Sequence, residues 1–342
     1  MTGPDGPATS KEDALALARE AGIHRLALPT PFMVGRVNCY LIEDEPLTLI
    51  DTGPNSGKSL DDLERALAAR GRRIEDLELI VLTHQHSDHT GLLEILARRS
   101  GADVAALEEL APYLADFSRA AKADDEFAGV VMRRHGVPDD VAAALSSLAA
   151  AYRAFGSSGS VTRPLREGDT LELRDRALRI FHRPGHSPSD TIFWDEDRAI
   201  LIAGDHLLAR ISSNPLISRP LVGDGGSDQR PPALLQYMDS LRATRELPAR
   251  LILSGHGDPI VDHVELIDER FRMHRRRAER VHEILEPGPI SAFEIAVQMW
   301  GDVAVTQAYL TLSEVLGHLD LLVESGEAVE RVTDGASVFE AL

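Results

Sequence analysis

Thr83-His84-Gln85-His86-Ser87-Asp88-His89 packs four metal-ligand side chains into seven residues. It follows Leu77-Glu78-Leu79-Ile80-Val81-Leu82, an apolar run of strand length, and precedes Gly91-Leu92-Leu93-Glu94-Ile95-Leu96, which has helical spacing. The ligands therefore fall in a turn at the carboxyl end of a strand, where α/β sheets build their sites. In an extended segment His84 and His86 project to one side, and the turn swings Asp88 and His89 toward a second centre. A solvated loop has no reason to gather this many imidazoles.

Reading outward, residues 11–22 form a short helix after a Pro/Gly-rich tail expected to be disordered. Ile23–Leu28, Val37–Ile42 and Leu47–Asp51 read as strands, and Ser59–Arg70 as an amphipathic helix. A helix over Leu92–Arg99 and a strand near Ala102–Leu107 follow the histidine turn. Residues 108–157 change character: they are Ala-rich, helical in period, and close on Gly156-Ser157-Ser158-Gly159. This is a helical insertion, either packed on the body by its apolar stripe or lying as a lid over the metals. Strands near Thr170–Leu173, Ala177–Arg183, Asp190–Asp195 and Ala199–Gly204 repeat the earlier rhythm. A long Pro/Gly/Ser-rich loop, Ser212–Pro232, marks a functional or disordered segment. A helix over Ala233–Arg245 and a strand over Arg250–Ser254 complete the body. Residues 262–342 read as a separate unit: an arginine-rich helix, helices at about 291–300 and 306–325, and a hairpin turning at Asp334-Gly335. That is the element order of a winged helix.

Composition narrows the function classes. The chain has 342 residues and a net charge of −19, which disfavours nucleic acid and anionic membranes as partners. No run approaches the ~20 apolar residues of a membrane span, and no basic-then-apolar leader is present, so a cytoplasmic protein is expected. Cys39 is the lone cysteine, which excludes an internal disulfide. Between Pro287 and Glu330 there is no Lys or Arg, so a groove-entering helix has nothing to neutralise phosphates. The only basic run, Arg270 to Arg280, is expected to be a solvated face with Asp268–Arg272 and Arg275–Glu279 pairs. The alternative is that some of these arginines hold an anionic substrate handle.

Three further strand ends carry ligand residues: His186 in Pro184-Gly185-His186-Ser187, Asp205 in Ala203-Gly204-Asp205-His206, and His256 in Ser254-Gly255-His256-Gly257. The set and its order resemble the metallo-β-lactamase superfamily, over residues from about 23 to 260. Asp51-Thr52-Gly53 also matches a strand-end motif of that superfamily. Within it, Val37-Asn38-Cys39-Tyr40-Leu41 and Pro184-Gly185-His186-Ser187 are similar to glyoxalase II-like hydrolases with a C-terminal winged-helix extension.

The resemblance implies a four-layered αββα sandwich. The expected division is a tail and short helix at 1–22, a catalytic domain at 23–260 with the insertion at 108–157, and a winged-helix-like domain at 261–342. It implies two divalent metal ions, zinc foremost, with iron or manganese also suited to these donors. His84, His86 and His186 would bind one metal; Asp88, His89 and His256 the other; Asp205 would bridge both. Asp88 and Asp205 carry the catalytic roles, with Asp51 and Thr83 supporting the ligands. The implied activity is hydrolysis by a metal-bridging hydroxide of a small-molecule thioester or ester. Cleavage of a phosphodiester or RNA, and persulfide oxidation at a single iron, are the alternatives. Arg219, Tyr237 and Arg275 are the candidate substrate contacts, and a homodimer is left open. His24, His135, His263, His282 and His318 lack ligand spacing; His206, next to Asp205, either lines the site or supports it from outside.

Overall fold

The computed structural model describes residues 10–221, 230–333 and 335–342. The expected disordered tail, the middle of the 212–232 loop and the first residue of the Asp334-Gly335 turn lie outside them. Helices α1 (Lys11–Glu20), α2 (Gly57–Ala68), α3 (Ser87–Thr90) and α4 (Leu93–Ser100) belong to the first half of the body. The insertion comprises α5 (Ala111–Ala115), α6 (Phe117–Arg134) and α7 (Asp139–Tyr152). The second half contributes α8 (Ala233–Arg245), and the C-terminal region α9 (His263–Leu285), α10 (Ala292–Trp300), α11 (Asp302–Thr306) and α12 (Ala308–Glu324).

Two mixed sheets stack between these helices. The first runs β1 (Ile23–Leu28), β2 (Val37–Ile42), β3 (Thr48–Ile50), β4 (Leu79–Val81), β5 (Asp103–Leu107), β6 (Arg163–Leu165) in spatial order. Its β3, β4, β5 and β6 are parallel. The second contains β7 (Thr170–Glu172), β8 (Ala177–His182), β9 (Thr191–Asp195), β10 (Ile200–Gly204) and β11 (Leu251–Ser254), with β10 and β11 parallel. The strand β6 was not anticipated, since its three residues include Pro164; that proline is tolerable because β6 is an edge strand.

Strand alternation explains the layering. Leu79 and Val81 face Ile180, Phe193 and Leu253 between the sheets, whereas Ile80 and Leu82 pack outward with Leu63, Leu67 and Leu96 of α2 and α4. On the second sheet, Ile192, Trp194 and Ile252 face Leu234, Tyr237 and Leu241 of α8 and Ile267 of α9. The result is helix, sheet, sheet, helix. With both faces covered, the strands read as near-continuous apolar runs.

The C-terminal region, expected from sequence as a unit of its own, packs against the insertion. Its helices α9 to α12 precede a hairpin of β12 (Ala328–Thr333) and β13 (Ala336–Ala341), but its core is shared with the insertion. Val131, Met132, Val137 and Ala142 join Leu312, Val315, Leu319, Ile295 and Phe339 in one buried cluster. The His135 ring stacks on Phe339 at 5.9 Å, and the Phe293 amide donates to the His135 carbonyl at 3.1 Å. An apolar stripe shows only that a face is buried, not which surface covers it. The arginine helix is solvated as expected at Arg272, Arg275, Arg276 and Arg280, but not at Arg270. Arg270 is 7% exposed and donates to the carbonyls of Leu208 and Ile211, while Asp268 pairs with Arg245 and Arg272 with Glu265.

Leu312 lies fully buried at the centre of the shared cluster. Leu312→Ala should cost about 2–5 kcal/mol. In urea unfolding the insertion and the C-terminal helices should lose structure together. Separate transitions for the two segments would contradict a common core.

Candidate metal centre

Four of the strands end at one edge of the sandwich, and their trailing residues converge there. Asp51 follows β3, the Thr83–His89 turn follows β4, Asp205 follows β10, and His256 follows β11. His186 arrives on the turn between β8 and β9. All seven predicted ligands meet. His84, His86 and His186 form one trio, and Asp88, His89 and His256 another, with ligand atoms in each within 4.8 Å of one another. Asp205 stands between them: Oδ1 is 3.4 Å from His89 Nε2, while Oδ2 is 3.4 Å from His256 Nε2 and 3.7 Å from His186 Nε2.

The outer ring nitrogens fix which nitrogen faces inward. His256 Nδ1 meets the Arg36 carbonyl at 2.9 Å and His186 Nδ1 the Asn214 carbonyl at 3.1 Å. A carbonyl only accepts, so both Nδ1 atoms carry a proton and both Nε2 atoms face inward, each able to offer a lone pair once it is deprotonated. His89 Nδ1 is held in the same way by Asp51 Oδ2 at 2.7 Å. Asp51 also accepts from the Thr83 amide at 2.9 Å and the Thr83 hydroxyl at 2.8 Å. Having donated to Asp51, that hydroxyl must accept from His84 Nδ1, 3.0 Å away. His84 therefore also turns a bare Nε2 inward, 3.0 Å from His86 Nδ1.

This arrangement fits divalent ions. Protein partners alone leave His89 Nε2, His256 Nε2 and Asp205 Oδ1 buried and without a hydrogen bond. The donor set of neutral imidazoles and carboxylates suits borderline divalent metals. Backbone close approach makes room for it: a Cβ on Gly255 would lie 2.2 Å from Asp205 Oδ1 and 2.8 Å from the His89 ring. The two histidine loops are tied by the Gln85 amide donating to Ser189 Oγ at 3.0 Å, and the His186 loop is held in itself by the Ser187 hydroxyl donating to Asp190 at 2.7 Å.

Charge is strongly polarised. Burial, reinforced by His89 and His86, holds His84 well below the usual histidine value; burial, with His186 nearby, holds His86 near 3. Burial would depress His89 as well, but Asp205, Asp51 and Asp88 outweigh it and raise it well above the ordinary value. His256 rises for the same reason: Asp205 and Asp88 overcome its burial. Burial would raise Asp205, yet His256, His89 and His186 bring it well below the usual carboxylate range.

The three predicted substrate contacts lie in different places. Arg219 Nε donates to Asp124 on α6 at 2.8 Å, pinning the loop to the insertion. Tyr237 is fully buried, donates its hydroxyl to the His206 carbonyl at 2.9 Å, and backs the His186 turn so closely that a Cβ on Gly185 would lie 2.4 Å from it. Arg275 borders a groove among α8, α9 and α12 that none of the seven centre residues lines. His206 is fully buried and bonds Thr244 Oγ1 at 2.8 Å. The carbonyls of Arg36 and Asn214 were missed, and no side-chain signal could have marked them.

A second feature missed from sequence is an aromatic lip. Phe32 lies 5.3 Å from Tyr152 and 6.1 Å from Phe155, ring centre to ring centre. The Phe155 carbonyl receives the Asn55 amide and lies where a Cβ on Gly91, two residues past His89, would clash. Phe32 is four residues before Arg36, whose carbonyl holds His256. Between them Met33 is 92% exposed and Val34 37%.

Two outcomes follow for metal uptake. Asp51→Asn should weaken metal affinity by roughly 10–100-fold, read by chelator competition, because it replaces one of the two acceptor oxygens that fix His89 and Thr83 with an NH2 donor. The nearby carboxylates favour the protonated forms of His89 and His256 in the metal-free protein, whereas burial favours neutral His84 and His86. Metal loading should therefore release protons, and affinity should climb with pH through those raised values. Calorimetry in buffers of different ionisation enthalpy measures this; zero proton release would contradict the assignment.

The family model described as the metallo-beta-lactamase superfamily matches residues 33–256. A probable metallo-hydrolase of Bacillus subtilis, YqjP, is 35% identical over 314 residues, spanning 92% of this chain and 96% of its own length. A metallo-beta-lactamase family protein from Thermus thermophilus has a crystal structure that superposes with a TM-score of 0.77 at 27% identity, covering 94% of this chain and 99% of that one. At greater distance, the atrochrysone carboxyl ACP thioesterase of Aspergillus fumigatus is 24% identical over 77% of this chain and 47% of its own. Histidine and aspartate side chains converging on one sheet edge thus have a family to which they belong, and this chain is a member of the metallo-beta-lactamase superfamily of metallo-hydrolases.

Proposed function

We propose that the chain is a dinuclear hydrolase of glyoxalase II-like type that cleaves thioesters or esters whose acyl part is apolar. The observation that carries this reading is the placement of Asp205, whose two oxygens face histidines of both trios. His84, His86 and His186 would hold one divalent ion, Asp88, His89 and His256 the other, and Asp205 both. Two ions so held, zinc by preference, supply a water of lowered pKa and a Lewis-acid contact for the scissile carbonyl.

The chain's own residues do the rest. Burial would raise Asp88, but His89 and His256 pull it below the usual carboxylate value, so it stays ionised. Its Oδ2, 3.2 Å from His256 Nε2, can accept a proton from attacking water and orient that water toward the carbonyl carbon. Asp51, through Thr83 and His89, keeps the imidazoles from rotating during turnover. Phe32, Met33, Val34 and Tyr152 would offer an apolar surface to the acyl group, on the segment that leads to Arg36 and so to His256. The thioesterase named among the relatives supports this substrate class. The C-terminal region, in winged-helix order, has no Lys or Arg from Pro287 to Glu330 and acts as a packing partner for the insertion.

The test is turnover of a panel of acyl thioesters, esters and lactones by metal-loaded protein, with a phosphodiester and single-stranded RNA alongside. Thioester cleavage is expected, and cleavage of the phosphodiester alone would overturn the proposal. Asp205→Asn should lower kcat by about 100-fold or more. Phe32→Ala should lose about 1.5–3 kcal/mol of transition-state binding, roughly 10–160-fold in kcat/KM, for a long apolar acyl group. The same variant should change an acetyl thioester little.

A further inference from the structure

We propose that His274, Glu314 and His318 form another metal-binding site, remote in sequence from the first, which takes one divalent ion of the zinc class and joins α9 to α12. His274 is 0% exposed, His318 1% and Glu314 8%, and each offers a ligand atom within 4.8 Å of the other two. None of them contributes to the centre at the sheet edge.

The hydrogen bonds decide which atoms are available. His318 Nδ1 lies 2.7 Å from the Glu314 backbone carbonyl, which only accepts, so Nδ1 carries the proton. The lone pair of His318 is therefore on Nε2, 3.2 Å from His274 Nδ1. Two nitrogens each ~2.0–2.1 Å from a tetrahedral ion stand roughly 3.3 Å apart, so this spacing is that of a ligand pair. A ring nitrogen tied to a carbonyl while its other nitrogen faces a neighbouring ligand is also how metal-binding imidazoles are oriented. Glu314 and His318 are four residues apart on α12 and share one face. Arg277 Nη1 pairs with Glu314 Oε1 and fixes the carboxylate beside the rings.

With Nδ1 turned to His318, His274 Nε2 is buried with no partner, so no hydrogen bond on its far side fixes which nitrogen carries the proton, and Nδ1 is free to present a lone pair. Burial keeps both imidazoles below the ordinary histidine value, hence neutral and able to ligate. A cavity of about 390 Å³, lined by His274 together with Met238, Phe271 and Leu321, opens beside the site. It supplies a path for the ion and room for water as fourth ligand. Two histidines, one glutamate and a water make a four-coordinate zinc set.

The experiment measures metal per chain. Full-length protein is stripped with chelator, reloaded with Zn²⁺ or Co²⁺, desalted, and compared with the double variant His274→Leu/His318→Leu. Wild type should hold one equivalent more than the variant, and Zn²⁺ should raise its Tm further, while the variant keeps the turnover of the sheet-edge centre. Equal metal content in the two folded proteins would overturn the site. If the double variant does not fold, anomalous diffraction at the zinc edge from wild-type crystals decides. A peak between His274 Nδ1 and His318 Nε2 is expected. A loaded sheet-edge centre with no peak there would refute the proposal.

Discussion

One carboxylate holds the centre in register. Asp51 accepts the Thr83 amide, the Thr83 hydroxyl and His89 Nδ1, and so joins the end of β3 to the turn after β4. Its backbone is left-handed, with φ 58°, a conformation that costs a non-glycine residue of order 1–3 kcal/mol and that aspartate tolerates better than most. That conformation lets a residue at a parallel strand end turn its side chain sideways onto the neighbouring turn. Because Thr83 spends its only proton on Asp51, His84 must donate its Nδ1 proton to Thr83. One acidic group thereby sets the orientation of two imidazoles.

The same logic recurs around the centre with different acceptors. Backbone carbonyls at Arg36 and Asn214 do for His256 and His186 what Asp51 does for His89. Electrostatics and packing then oppose each other. Burying this many imidazoles and carboxylates is costly, and the shared charge of Asp205, Asp88, His89 and His256 offsets part of it. The inward nitrogens that remain unpartnered are the ones a cation would satisfy.

Distant segments reach this centre through Asn214. Its carbonyl orients His186, while its side-chain amide donates to the Leu310 carbonyl on α12 at 3.0 Å. Three residues on, the Ile217 amide donates to Ser313 and the Ile217 carbonyl accepts from Tyr309, both on α12. Arg219 anchors the same loop to α6. The C-terminal helices and the insertion therefore buttress one inward-facing histidine of the centre as well as each other.

The sequence by itself determined the sandwich and the seven side chains that converge at its edge, because both are written in local patterns. Apolar runs such as Leu79–Leu82 specify strands buried on both faces, and ligand residues placed just past strand ends must project from one sheet edge. Tertiary structure alone decided the partners of surfaces. The apolar stripe of α6 identified a buried face but not that α12 would cover it. Arg270 looked like one more solvated arginine, yet burial against Leu208 and Ile211 makes it a carbonyl anchor. His274 and His318 stand 44 residues apart with no shared motif, and only the packing of α9 on α12 brings their nitrogens to 3.2 Å. Spacing along the chain encodes what one element presents; what that face meets depends on how elements far apart in sequence come to rest on one another.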